Sequence, residues 1–382
     1  MDFSLTAEQH ALRKEIISFA RTEIDPGAAD RDQFQTFSRD LWVKAGDHLL
    51  PGLLVPSEYG GRGLDSLSAV IALEALGYGS SDAGFNFSIC AHLLACVVPI
   101  WKHGTDDQKH NLLPGLSNGT LIAANAMTEP ATGSDAFALK TRAEPVDESY
   151  RLNGTKVFAS NAPCADIVVT YAETDSNKGF HGGVTAFAVT RGTPGFRTGP
   201  PFQKLGLRTS HMSEVIFEDA IVPASAAIGA LGAGGQIFAQ SMDWERVCLG
   251  AIHVGAMDRL LELSVRHART TKVAGEAIGK SQGVSHAIAT MKVRLDTSRA
   301  MLYRAASLLD KSRTVSMDAA IAKLVISEAY VAAARATSTI FGEAAVVEGH
   351  EAERALRDSL ASTIYSGTSE IQRNIIARWL GL

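Results

Sequence analysis

The chain has 382 residues, too many for one simple core, so two or three domains are expected. With 46% hydrophobic and 20% charged residues it has the composition of a globular protein, and a formal net charge of −5 argues against nucleic acid as the main partner. The four cysteines, Cys90, Cys96, Cys164 and Cys248, form no CxxC pair, so a reduced, cytoplasmic setting is expected rather than a disulfide framework.

The opening MDFSLTAEQHALRKEI lacks the apolar core of a signal peptide, and no run of about 18 apolar residues follows, so no membrane association is expected. Residues 1–120 read as an N-terminal α-helical domain. Leu5, Leu12, Ile16 and Phe19 fall at helical spacing, and Thr6 with Gln9 has the pattern of a capping box. Pro26-Gly27 breaks that pattern. The turn-rich LLVPSEYGGRGLD then leads into a long apolar segment from Ser66 to Leu76. In HGTDDQKHNLLPGLSNG, His103, Asp106, Asp107 and His110 invite a metal reading. They make no closed ligand set, and a helix capped by Thr105 and Gln108 accounts for them, so no metal is expected.

Residues 121–225 change character. IVVTYAET, GVTAFAVT and EVIFEDAIV are β-branched and aromatic runs, and Leu152-Asn153-Gly154-Thr155 reads as a hairpin turn. From 226 to 382 the chain reads as helical to its end. Val284, Ile288, Met291, Leu295, Leu302 and Leu309 form one apolar stripe, and VAAARATS permits close helix packing. The Gly-rich LGAGGQ lacks a βαβ setting, so it is no dinucleotide fingerprint. The fold class is α+β, mostly α, in the order helical, β, helical.

Four stretches exceed what packing asks for. AMTEPATGSD offers Thr128, Thr132 and Ser134 on a Pro-x-x-Gly loop suited to a flat polar heterocycle and a phosphate. LNGTKVFASNA presents Phe158 and Ser160 on one face. KLGLRTSHMSEVIFEDAIVP is the third. The fourth, TIYSGTSEIQRNIIARWL, places a Ser366–Ser369 turn between two helical segments, where backbone N–H groups can meet a ligand.

With VPSEYGGRG, GTDDQKHNLLPGL and TMKVRLDTSRAMLYRAA, these stretches resemble the acyl-CoA dehydrogenase family over essentially the whole chain. The resemblance implies a middle β domain between an N-terminal α domain and a C-terminal four-helix bundle. It also implies FAD lying between the middle β domain and the C-terminal domain, helped by a neighbouring subunit of a homodimer or homotetramer. The reaction implied is α,β-desaturation of an acyl thioester, in which a carboxylate takes the α-proton and the β-hydrogen leaves as hydride. By the same resemblance Met127, Thr128 and Ser134 line the flavin ring. Phe158 replaces a tryptophan beside it, Ser160 stands near N5, Thr368 reaches the cofactor and Gln282 is retained.

The chain departs from the common family pattern at its base. The Glu that usually precedes Gly-Thr in the terminal motif is Ser366, and a serine hydroxyl is no base without its own activator. SMDWERVCLGAIHVGAMD resembles the helix on which the isovaleryl-CoA dehydrogenase branch carries its base. This implies Glu245 as the catalytic carboxylate, Arg246 as its neighbour in the site, and Ser366 as a vacated post. Trp244 is expected in the acyl pocket or in the core. The family's Arg-x-x-Phe-Gly, a contact to the FAD pyrophosphate, appears as Thr271, Lys272, Val273, Ala274 and Gly275, without its charge-assisted donor. Its Gln-x-x-Gly-Gly-x-Gly appears from Thr339 to Ala345 and keeps only Gly342.

The expected substrate is an acyl thioester on CoA or a carrier protein, including aminoacyl or hydroxyacyl chains of secondary metabolism. The acceptor is an electron-transfer flavoprotein or oxygen. Two other readings are a flavin-dependent monooxygenase or oxidase on this fold, and a flavin-poor subunit completing a partner's site in a hetero-oligomer.

Overall fold

A computed structural model describes residues 4–311 and 315–382. Thr6 accepts from the N–H of Gln9 at 3.2 Å while Gln9 Oε1 accepts from the N–H of Thr6 at 3.0 Å, so the expected capping box opens the helix Ala7–Phe19. Leu12, Ile16 and Phe19 of its stripe are buried. Thr105 and Gln108 make the same box at the helix Asp106–Ser117.

The helix Ser66–Gly79 is apolar on nearly every side because it is enclosed between the N-terminal helices and the helix Gly250–Thr270. Two glycines permit that crossing. A Cβ on Gly77 would lie 2.2 Å from the carbonyl oxygen of Ile252, and one on Gly255 would lie 2.0 Å from that of Glu74. Glu74, 3% exposed, receives 2.8 Å hydrogen bonds from Arg299 Nε and Tyr303 Oη, which tie this helix to Gln282–Leu309. The continuous run Ala83–His103 is long and apolar enough to cross a membrane, with a mean hydropathy of 1.8, but its most apolar window is 89% buried inside the protein.

Eight strands form one sheet: β1 (Ala123–Ala126), β2 (Arg142–Val146), β3 (Ser149–Ser160), β4 (Ile167–Glu173), β5 (Val184–Thr190), β6 (Phe196–Thr198), β7 (Met212–Pro223) and β8 (Ala227–Ile228). Their order is β6-β7-β3-β2-β4-β5-β8, with β1 parallel to β4. The hairpin turn expected at Leu152–Thr155 is not there. The chain turns instead at Asp147-Glu148, where Asp147 is left-handed at φ 52°, and β3 continues through Asn153-Gly154 with a register shift against β7. Gly154 serves close approach, since a Cβ would lie 2.4 Å from Thr141 Oγ1. Asn153 spends its side chain on Asp219 of β7, at 3.0 and 2.8 Å.

In the C-terminal region Gly250–Thr270, Gln282–Leu309 and Ser316–Phe341 pack on one another, with Gly234–Cys248 and Ser369–Trp379 against Ser316–Phe341. Met291, Leu295, Leu302 and Leu309 of the stripe are buried, while Val284 and Ile288 stay half-buried near the helix start. Among the described residues the stretch read as helical from 226 also holds β8, which extends the sheet, and a small hairpin, Lys272–Val273 paired with Glu276–Ala277 around left-handed Ala274 and Gly275.

Candidate active site

A cleft of ≈ 450 Å³ opens between the sheet and the C-terminal helices. Its sheet wall carries Met127, Thr128, Ser134, Phe158 and Ser160. The β3–β7 register slips between Lys156 and Ala159, and Phe158 sits at that bulge with φ 56°. The strained backbone turns the phenyl ring outward, 61% exposed, with only an edge contact to Phe202 at 5.8 Å.

The loop below this ring is pinned from inside. Lys156, wholly buried on β3, donates to Glu129 Oε1 at 2.9 Å and to the carbonyl of Met127 at 3.1 Å. Glu129 also accepts from the N–H groups of Lys140 and Thr141 and from the Thr141 hydroxyl. Burial works to raise the Glu129 pKa, but Lys156 and these donors hold it below the usual range; burial brings Lys156 down to about 8 although Glu129 opposes the fall. Thr132 closes a tight turn onto the N–H of Glu129 at 3.2 Å, so it is structural. A large exposed aromatic face, rimmed by the hydroxyls of Thr128, Ser134 and Ser160 over a fixed loop, fits a flat ring system of the flavin type.

Across the cleft stand Glu245 and Arg246 of the helix Gly234–Cys248 and the turn Tyr365-Ser366-Gly367. Glu245 is 9% exposed, and burial pushes its pKa up. The Ser366 hydroxyl, which donates to its Oε1, and the cations Arg246 and Lys323 oppose that rise. Ser366 takes the left-handed region at φ 56°. Its carbonyl accepts from Arg246 Nε at 3.2 Å and from Gln372 Nε2 at 3.1 Å, and Gln372 also donates to the Gly367 carbonyl at 2.7 Å. Arg246 is steadied by Asp243 at 3.3 Å, and Asp243 accepts from Ser316 Oγ at 2.7 Å. Tyr365 places its ring beside Phe87, with its hydroxyl 2.6 Å from Nε2 of His253. Burial lowers the His253 pKa to about 3, so this imidazole is neutral.

The structure thus brings Met127, Thr128, Ser134, Phe158, Ser160, Glu245 and Arg246 to one cleft. Thr368 is different: its hydroxyl caps the helix Ser369–Trp379, accepting from the N–H of Ile371 at 3.3 Å, and it borders a separate surface groove with Arg335. Gln282 is exposed at the start of its helix, outside the cleft. Trp244 also lies outside, packed edge-on to Trp101 at 6.2 Å. Ser366 is no vacated post, because it holds Glu245. Sequence reasoning missed that role, along with the Lys156–Glu129 clasp. A lysine among the inward positions of an apolar strand was the available sign of the clasp.

Three sequence profiles of one family cover the chain. These are the acyl-CoA dehydrogenase N-terminal domain over residues 6–120, its middle domain over 124–220 and its C-terminal domain over 232–381. A relative from Serratia sp., named L-prolyl-(peptidyl-carrier protein) dehydrogenase, is 42% identical over 100% of this chain and 99% of its own. A solved structure described as PigA with FAD and proline superposes with a TM-score of 0.97 at 41% identity, covering 100% of both chains. The prolyl acyl carrier protein oxidase AnaB superposes at 0.96 with 40% identity, over 99% of this chain and 100% of its own.

Proposed function

This chain belongs to the acyl-CoA dehydrogenase family, and we propose that it desaturates an acyl thioester between Cα and Cβ, with Glu245 as the base. Its cofactor is FAD, which supplies a two-electron acceptor for the β-hydrogen when bound. Met127, Thr128, Ser134, Phe158 and Ser160 are the residues of this chain that would hold it.

The observation that carries this reading is the place of Glu245: a nearly buried carboxylate facing the Phe158 wall across a cleft that admits a substrate. An α-proton beside a thioester is weakly acidic, so its base must be close and poorly hydrated. Burial makes Glu245 a stronger base than a free glutamate, while Ser366 and Arg246 keep it ionised and aimed. Arg246 donates to the Ser366 carbonyl rather than to Glu245, so it fixes the turn by a hydrogen bond and acts on the carboxylate through its charge.

The favoured acyl group is prolyl, carried on a peptidyl carrier protein, as the names of the full-length relatives support. Either oxygen or an electron-transfer flavoprotein then reoxidises the cofactor. The description of AnaB as an oxidase favours oxygen. The assembly we assign is a homodimer or homotetramer in the cytoplasm, where the exposed Lys272–Ala277 hairpin and Gln282 are free to reach a neighbouring copy. An intact Glu245–Ser366 pair on an open cleft counts against a flavin-poor partner subunit.

The test is anaerobic mixing of the purified yellow protein with prolyl carrier protein, prolyl-CoA and butyryl-CoA. Bleaching of the flavin by the prolyl carrier protein first is the expected result. Bleaching by none of the three would refute the proposal.

A further inference from the structure

Glu245, Arg246 and Ser366 also border a second, small cavity of ≈ 10 Å³, about the space one water needs. Lys323, from the helix Ser316–Phe341, completes its wall with His253 and Tyr365. Lys323 is 5% exposed, and its Nζ finds no hydrogen-bond partner among the described residues. Burying an ammonium without a direct partner is costly, so keeping one against the same cavity as a buried carboxylate calls for a reason.

The charges around Lys323 are mixed. Arg246 and Glu245 face it from Gly234–Cys248, Glu370 from Ser369–Trp379, and Glu328 from its own helix. His253 on Gly250–Thr270 is neutral, and burial keeps the Tyr365 hydroxyl protonated. Burial first, and then Arg246, lowers the Lys323 pKa to about 8, so the side chain is still largely cationic at neutral pH. In the other direction Lys323 is one of the groups that resist the rise of the Glu245 pKa.

We propose that Lys323 is a positioning residue for the base: its ammonium, buried against the cavity it shares with Glu245, keeps that carboxylate ionised and ready for the next substrate. The proposal rests on Glu245 being the base. It assigns the orphaned lysine a task that neither packing nor an ion pair explains.

The test compares wild type, Lys323→Met and Lys323→Arg as holoenzymes, with melting curves to verify the fold. The Glu245 carboxyl is titrated by infrared difference spectroscopy, its band identified from Glu245→Gln. Its midpoint should rise by about one pH unit in Lys323→Met and return most of the way in Lys323→Arg. The acid limb of kcat/KM should move with it. An unmoved midpoint in folded Lys323→Met overturns the proposal; Lys323→Gln carries the same reading where the methionine variant does not fold. Normal turnover by Glu245→Gln would refute the base assignment instead, and the infrared titration, which needs no turnover, keeps the two failures apart.

Discussion

The hydroxyl of Ser366 donates to Oε1 of Glu245 across 121 residues of chain, joining the terminal turn to the helix Gly234–Cys248. The position that carries the base in most of the family here carries a donor to Glu245, the carboxylate we propose as the base. A carboxylate that must be desolvated to be basic also needs a partner that stops burial from protonating it. Ser366 is that partner, and Arg246 and Gln372 fix its backbone.

Ser366→Ala therefore leaves the fold intact and raises the Glu245 pKa. A hydrogen bond to a charged group is worth roughly 1.5–3 kcal/mol, so the acid limb of kcat/KM should shift up by about one to two pH units. Activity on the acid side of the limb should fall, with little loss on its alkaline side. Ser366→Gly should shift the limb equally but melt no lower than Ser366→Ala, because glycine relieves the left-handed backbone at φ 56°. Steady-state pH profiles and melting curves check both.

Lys156→Met strands Glu129 in the sheet interior without its cation. Breaking a buried pair from one side costs about 3–5 kcal/mol, so the melting temperature should drop sharply. Flavin should be held less tightly, since Lys156 also fixes the Met127 carbonyl in the loop we assign to the cofactor. The double variant Lys156→Met with Glu129→Gln should recover part of the lost stability. Calorimetry and flavin release on dilution read the two effects.

Asp358 predicts a pH dependence. Burial, with help from nearby Asp32 and Asp82, raises its pKa to about 7, although the Leu207 N–H and Arg357 oppose this. Between about pH 4 and 7 the native state keeps a proton that the unfolded chain has lost, so this group's contribution to stability falls as pH rises through that window. Asp358→Asn removes the titration while keeping an acceptor for the Leu207 N–H. Its stability relative to wild type should improve with pH, by up to about 4 kcal/mol from pH 4 to 8. Denaturant melts at both pH values check the slope.

Much of this was legible in the sequence, and the exceptions share a cause. Thr6 and Thr105 announced their helices because a cap and its partner lie three residues apart. The order of helical, β and helical segments followed from apolar period. Asn153-Gly154 misled because a glycine required by a close neighbour strand looks the same in sequence as one required by a turn. Thr368 stands in the N-cap position of its helix, where its hydroxyl oxygen accepts from the Ile371 N–H, a local role readable from the Thr-x-x pattern but not weighed beside the cofactor contact. Glu245 and Arg246 were visible as a pair. Ser366, Lys323 and Lys156 were not, because each takes its meaning from contacts remote in sequence that only folding creates.

Glu245 as the base is tested by anaerobic reduction of the bound flavin with a prolyl carrier-protein thioester, in wild type and in Glu245→Gln. The variant keeps its yellow colour and its fold, and its flavin bleaches at least about a thousandfold more slowly, because amide cannot take the α-proton. Bleaching of Glu245→Gln at the wild-type rate would contradict the account.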